Sequence, residues 1–275
     1  MKPVNFAYER PRHFDDAVRL LNHGAQAKIL AGGQSLGPML NMRLVRPDLI
    51  VDITGLDELK RYEKKRDYLE IGACVTHSDI EDGRVPDVTG GAMTSVASGI
   101  AYRAVRNRGT IGGSLTNADP SADWVSALAA LGAEAVLRGL RGARTLPVEA
   151  YVTGALETAL TPDELLETVR VPVHSKNARW GYYKVCRKTG EYAHAIGAVL
   201  LDRTRNVFRA VIGATERKPL VLTDAKALFN GSDNLANFDR SAADSMLASS
   251  GMGDPLDRKI HVVALVRAIQ KAASA

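Results

Sequence analysis

Apolar and polar positions along this chain alternate on short periods, giving brief strands interleaved with brief helices. Asp15 to Gly24 has an acidic start and a glycine stop, which predicts a short helix. Lys28 to Ala31 predicts a strand that delivers the chain to a glycine loop at 31 to 36, and Pro38 to Leu44 a helical turn. Leu49 to Ile53 reads as a buried strand, so residues 1–54 form a small α/β unit with a loop at its edge. Leu59 to Glu63 and Tyr68 to Cys74 predict two strands joined by the charged turn Lys64 to Asp67. Helices follow at Thr76 to Glu81 and Gly91 to Ala101, and a later one places Val125, Leu128 and Leu131 with Ala129 and Gly132 on one apolar face. Strands are expected at 133–138, 143–147 and 165–171, and the polar run Pro172 to Asn177 is the boundary to a third unit. Beyond it, 181–187, 193–202 and 207–214 predict an antiparallel meander, with helices at 223–229, 241–248 and 258–273 and a fraying Ala/Ser-rich end. This mixture predicts an α/β or α+β packing in three units, 1–54, 55–174 and 175–275.

The stretch Gly109 to Trp124 (G-T-I-G-G-S-L-T-N-A-D-P-S-A-D-W) organises the rest. It opens with glycines at 109, 112 and 113 and closes on Asp119-Pro120, which reads as a helix start. A glycine loop running into capped backbone N–H groups is a seat for an anion such as a diphosphate. Ala31-Gly32-Gly33-Gln34-Ser35-Leu36 repeats the design. A lone Gly-Gly is as well explained by a turn. Two such loops predict one dinucleotide held from opposite sides, with Asn117 and Asp123 suited to ribityl and sugar hydroxyls. No G-x-G-x-x-G follows a strand, no Walker A sequence occurs, and Gly251-Met252-Gly253 lacks a third glycine, which disfavours Rossmann and P-loop readings.

Composition narrows the chemistry. With 275 residues, 45% hydrophobic and 24% charged, the chain has the make-up of an ordinary soluble globular protein. A net charge of +5 without a basic block interleaved with aromatics argues against nucleic acid. Two cysteines, Cys74 and Cys186, cannot supply the four thiolates of an iron–sulfur cluster, and the six histidines show no zinc spacing. Cys74 reads as core, His77 and His194 as capping or packing groups, and Lys60 to Arg66 as a solvated hairpin tip. The start of the chain lacks the apolar core of a signal peptide and no run reaches the ~18 apolar residues of a membrane span, so a cytoplasmic location is expected.

Three strings occur in order: A-G-G-Q-S-L-x-P-M-x-x-M-R-L at 31–44, T-I-G-G-S-L-x-N-A-D-P-x-A-D at 110–123, and K-x-x-R-K-x-G-E-Y-A at 184–193. By these the chain closely resembles the FAD-binding medium subunit of molybdenum hydroxylases, such as bacterial carbon monoxide dehydrogenase, and the flavin domain of xanthine dehydrogenase. The resemblance implies the α+β class, with a PCMH-type (vanillyl-alcohol-oxidase-like) FAD fold of two α/β lobes, followed by a flavoprotein C-terminal domain with an antiparallel sheet and helices. It sets the FAD diphosphate against Ala31, Gly32, Gly33, Gln34, Ser35 and Leu36 and against Thr110, Gly112, Gly113 and Ser114. It brings the ribityl and ribose region to Asn117 and Asp123, and lines the flavin or adenine pocket with Leu166 and Val171. Lys184 and Tyr192 fall where the family brings an ammonium and an aromatic close to the isoalloxazine ring. A cation there favours the more negative reduced flavin. The chain departs from the pattern at Glu191, where aspartate is usual, and at Gly37, where an apolar residue is usual; Arg187 and Glu191 are read as a pair that pins their loop.

The activity so implied is electron transfer: FAD on this chain, [2Fe-2S] clusters on a small partner subunit, and the molybdopterin cofactor on a large one, as a dimer of heterotrimers with an external acceptor. Carbon monoxide, purines and N-heterocyclic aromatics stand as substrates of such a complex, and NAD, quinone, cytochrome or dioxygen as acceptors. Two alternatives are a stand-alone FAD oxidase or reductase, which needs a base that the sequence does not offer, and a scaffold that has lost its cofactor, which the intact glycine loops oppose.

Overall fold

The computed structural model describes residues 2–22, 26–188 and 190–275. Its first elements are β1 (Ala7–Glu9), α1 (Phe14–Leu21), β2 (Ala27–Leu30), α2 (Leu36–Asn41) and β3 (Leu49–Asp52). The strands make a parallel sheet in the order β1-β3-β2. β3 sits in the middle because Leu49, Ile50 and Val51 leave no polar face before Asp52, and all four residues are buried. α1 covers the sheet with Phe14, Ala17 and Val18 and carries Asp15 and Asp16 in its first turn, where the helix dipole favours them. The glycine stop expected at Gly24 lies outside the described residues. The first glycine loop leaves the carboxyl end of β2, the usual place for a ligand on a parallel sheet.

The second unit runs through β4 (Tyr62–Lys64), β5 (Tyr68–Gly72), α3 (His77–Glu81), α4 (Ala92–Ser98), α5 (Arg103–Arg106), α6 (Ile111–Asn117) and α7 (Asp123–Ala130). It continues with β6 (Glu134–Gly139), β7 (Gly142–Pro147), α8 (Val148–Tyr151), the small pair β8 (Val152–Gly154) and β9 (Glu157–Thr158), and β10 (Glu164–Pro172). The large strands form an antiparallel sheet ordered β4-β5-β10-β6-β7. The strand expected from Leu59 begins only at Tyr62. Residues 57–60 instead turn as a 3-10 helix, because Leu56 and Leu59 are both buried at helical spacing and Lys60 pairs with Asp57 at 3.2 Å. α3 opens on a full capping box between Thr76 and Asp79.

Two expectations about the central stretch are corrected. Ile111 to Asn117 is helical, capped by the Thr110 hydroxyl, which accepts from the Gly113 amide at 3.0 Å. Asp119-Pro120 does not start a helix: Ala118 ends α6 at φ +48°, the Asp119 carboxylate closes a turn by accepting from the Ser121 amide, and α7 begins at Asp123. α7 also has no single apolar face, since all eight of its residues are buried. It is an interior helix, packed between the second unit and the C-terminal sheet, whose Ala198 and Val211 belong to the same core.

The last unit contains β11 (Arg179–Val185), β12 (Ala195–Asp202), β13 (Val207–Gly213), β14 (Leu220–Leu222), α9 (Arg240–Ser249) and α10 (Pro255–Ser274). The strands form the expected antiparallel meander, extended by the short β14 that the pattern did not reveal. The helix expected at 223–229 is a 3-10 turn, Ala225–Leu228. α10 starts on an Asp254 cap with Pro255 in its first turn. It lies on β11 and β12, so close that a Cβ on Gly197 would stand 2.5 Å from the Leu265 Cα. The expected fraying of the end is not seen: the helix runs to Ser274 and Ala272 is fully buried. No helix among the described residues is long and apolar enough to cross a membrane.

Candidate dinucleotide site

Both glycine stretches open onto one cavity of about 750 Å³, within the range of about 300–1,000 Å³ usual for small-molecule sites. They also touch each other. A Cβ added to Gly32 would fall 2.7 Å from the Gly109 Cα, so only glycine lets the two backbones meet there.

Their chemistry differs, although their sequences match. In the first loop the amides of Gly32, Gly33, Gln34, Ser35 and Leu36 have no acceptor among the described residues. Gly33 is left-handed at φ +72°, and the loop is closed by the Gly37 amide on Gly33 O at 2.9 Å and the Gln34 side-chain amide on Gly32 O at 3.0 Å. Successive unpaired N–H groups around such a residue form a concave anion seat. Ala31 and all five of these residues line the cavity.

The second stretch keeps fewer such donors, with the Thr110 amide alone lacking an acceptor among the described residues of 109–114. Ile111 N–H goes to Val75 O, Gly112 N–H to Ala73 O, Gly113 N–H to the Thr110 hydroxyl and Ser114 N–H to Thr110 O, each at 3.0 Å. Thr110, Gly112, Gly113, Ser114 and Asn117 all line the cavity. The glycines serve packing, since a Cβ on Gly112 would lie 2.6 Å from the Ala73 Cα and one on Gly113 2.7 Å from the Thr110 Oγ1.

Asp123 lines the cavity, yet both its oxygens are engaged. Tyr182 donates its hydroxyl to Oδ1 at 2.7 Å and Lys184 Nζ donates to Oδ2 at 2.9 Å, with a second bond from Nζ to Gly99 O at 3.0 Å. Burial raises the Asp123 carboxyl above its ordinary value against the opposing pull of Lys184 and Tyr182, and burial drives the Tyr182 phenol well above its own. Lys184 is thus paired and does not line the cavity. Leu166 does line it. Val171 does not: it lies five residues further along β10, about 16 Å at the rise of a strand, fully buried opposite Leu69. Tyr192 stands at the mouth, largely exposed, and Glu191 pairs with Arg187 at 3.3 Å as expected.

Tyr182, His77 and one short segment of the site escaped the sequence reading as ligand-side groups. Tyr182 carries no motif that marks it. His77 follows the α3 cap and lines the cavity, with its Nδ1 accepting from Trp124 Nε1–H at 3.1 Å across 47 positions of sequence. The segment Ile100 to Tyr102 closes the far side, where a Cβ on Gly190 would lie 2.6 Å from Ala101 O. Among the described residues no cluster of three or more His, Cys, Asp or Glu is placed to hold a metal.

Known proteins agree with this geometry. The family described as "FAD binding domain in molybdopterin dehydrogenase" matches residues 4–174. The chain is 37% identical to caffeine dehydrogenase subunit beta of Pseudomonas sp. (strain CBB1), covering 79% of this chain and 71% of that one. It is 34% identical to the carbon monoxide dehydrogenase medium chain of Afipia carboxidovorans over 99% of this chain and 98% of the relative. Among solved structures, reconstituted CO dehydrogenase from Oligotropha carboxidovorans superposes with a TM-score of 0.88 at 30% identity, covering 100% of this chain and 99% of that chain. Quinoline 2-oxidoreductase from Pseudomonas putida 86 gives 0.85 at 29% identity with the same coverage. An anion seat on a dinucleotide-sized cavity, in a chain matched by this family model and by these dehydrogenase chains, places the protein in the FAD-binding domain family of molybdopterin dehydrogenases, as a subunit of an oxidoreductase.

Proposed function

We propose that this chain is the FAD-carrying electron-transfer subunit of a heteromeric molybdenum-containing hydroxylase or dehydrogenase. It would accept electrons from [2Fe-2S] clusters of a small partner and pass them to an external acceptor, while a large molybdopterin subunit hydroxylates the substrate. The observation that carries this reading is the row of five unpaired amides, Gly32 to Leu36, facing the cavity. A diphosphate satisfies such a row with its anionic oxygens and needs no charged side chain from the protein to do so. Relatives named as medium chains and subunits of dehydrogenases support the heteromeric arrangement, which we take as a dimer of heterotrimers in the cytoplasm. Two cysteines, one of them buried, leave the clusters to another chain. We also propose the division 1–54, 55–174 and 175–275, which the confinement of each large sheet to one of these stretches supports.

The bound flavin supplies the redox chemistry; this chain supplies position and field. The first loop would seat the diphosphate, Ser114 and Asn117 offer polar groups to the ribityl and ribose hydroxyls, and Leu166 gives an apolar contact. Tyr192 would cover the cavity mouth, where exposure keeps it open to a docked partner. Lys184 would act through Asp123, as one half of a buried pair.

Purification tests the proposal. The complex is expected to show a flavin absorption spectrum and to release about one FAD per chain, together with co-purifying iron–sulfur and molybdenum subunits. A colourless complex that cannot be reconstituted with FAD would remove this reading. A flavin-loaded chain with turnover and no partners would favour the stand-alone enzyme.

A further inference from the structure

We propose that His77 is a cofactor-binding residue, whose Nε2–H donates to an anionic oxygen of the diphosphate from the wall opposite the first glycine loop. This rests on the FAD reading above. The tautomer follows from Trp124: an indole N–H only donates, so the His77 Nδ1 that receives it at 3.1 Å carries no proton, and the neutral ring bears its hydrogen on Nε2. The main chain at His77 is tied to the second glycine stretch by its amide, which donates to Gly109 O at 2.9 Å.

Nε2 has no hydrogen-bond partner among the described residues, although His77 is only 4% exposed and lines the cavity. A ring N–H at a cavity wall with no protein partner is placed to meet an acceptor carried by the ligand. Its position identifies which acceptor. A Cβ on Gly109 would lie 2.8 Å from Nε2, and the Gly109 Cα in turn packs against Gly32, where the row of unpaired amides begins. The donor and the amide row therefore converge on one region from two walls. Burial, helped by the Arg106 guanidinium, pushes the ring down to about 4, so the group donates without bringing a charge.

The test compares FAD with riboflavin, which has the ring and ribityl chain but no phosphate, on the full-length chain freed of flavin. His77→Phe is expected to weaken FAD about 10- to 100-fold, the range for a hydrogen bond to a charged acceptor, and to leave riboflavin affinity unchanged. Trp124→Phe together with His77→Phe removes the indole donor as well as its partner, so the comparison does not depend on one variant that misfolds. In ¹⁵N-histidine-labelled wild type, the His77 Nε2 signal is expected to be of the protonated kind and to move with FAD but not with riboflavin. Unchanged FAD affinity in both variants, an equal loss for the two flavins, or an unprotonated Nε2 overturns the assignment of His77. Failure of the wild-type chain to take up FAD overturns the flavin reading itself, a separate result.

Discussion

Lys184 Nζ lies 2.9 Å from Asp123 Oδ2, and the two side chains are 10% and 9% exposed. The pair ties β11 of the C-terminal sheet to the first residue of α7. Each residue carries a sequence motif for cofactor contact, yet each satisfies the other. What faces the cavity from this corner is a paired carboxylate fixed by a phenol, and the ammonium stands behind it. The field at the cavity is then that of a local dipole, weaker than that of a lone cation.

Lys184→Met leaves Asp123 buried with only Tyr182 as donor. Breaking a buried pair on one side costs about 3–5 kcal/mol, and the loss is read from urea unfolding. Adding Asp123→Asn is expected to restore part of it, because no buried charge remains. Equal losses in the single and double variants would show that the pair is not coupled.

The glycines of the first loop are expected to separate into three classes. Gly33→Ala puts a side chain on a residue at φ +72°, a strain of about 1–2 kcal/mol. Gly32→Ala is worse, since the new Cβ would sit 2.7 Å from the Gly109 Cα and force the two walls apart. Both should lower FAD content per chain. Gly37 has nothing within 4 Å of its missing Cβ and lies inside α2. Gly37→Ala is therefore expected to keep FAD and to raise stability by up to about 1 kcal/mol in thermal unfolding.

Much of this was legible in the sequence because it is local. Strand periods, the helix start at Thr76 and the two glycine strings each declare themselves within a few residues, whereas the Asp254-capped α10 starts at Pro255, ahead of the 258 expected. The glycines of 109–113 misled in one respect: the run suggests a loop, but Thr110 supplies a cap and Ala73 packs so closely that helix and glycine are compatible. What stayed hidden depends on tertiary contact. Nothing near Lys184 says that Asp123 will take its charge, and nothing near His77 says that Trp124 will fix its proton. Val171 fits the apolar pattern as well as Leu166 does, and only the length of β10 separates core from cavity.

His77 also sets a pH dependence. Its ring falls from an ordinary 6.5 to about 4 in the fold, mainly through burial and then through Arg106. As pH drops below 6.5 the unfolded chain takes up this proton and the folded chain does not, so the stability present above 6.5 declines until about 4. The loss is on the order of 3 kcal/mol from this residue. Urea midpoints measured across that window should fall less steeply in His77→Phe than in the wild type. An identical slope would place the titrating group elsewhere.

Thr110 separates the roles of the two glycine stretches. Its hydroxyl caps α6 by accepting from the Gly113 amide at 3.0 Å, and the residue is 4% exposed. Thr110→Val keeps the shape and removes the acceptor, which is expected to cost about 1–2 kcal/mol of stability; Thr110→Ser keeps the cap and should cost less. Because the amides of Ile111 to Ser114 are already engaged inside the protein, FAD affinity in Thr110→Val should change far less than in Gly33→Ala. Calorimetry paired with flavin titration reads both quantities on one sample. A variant that keeps its stability but loses FAD as Gly33→Ala does would show that the second stretch grips the phosphates after all.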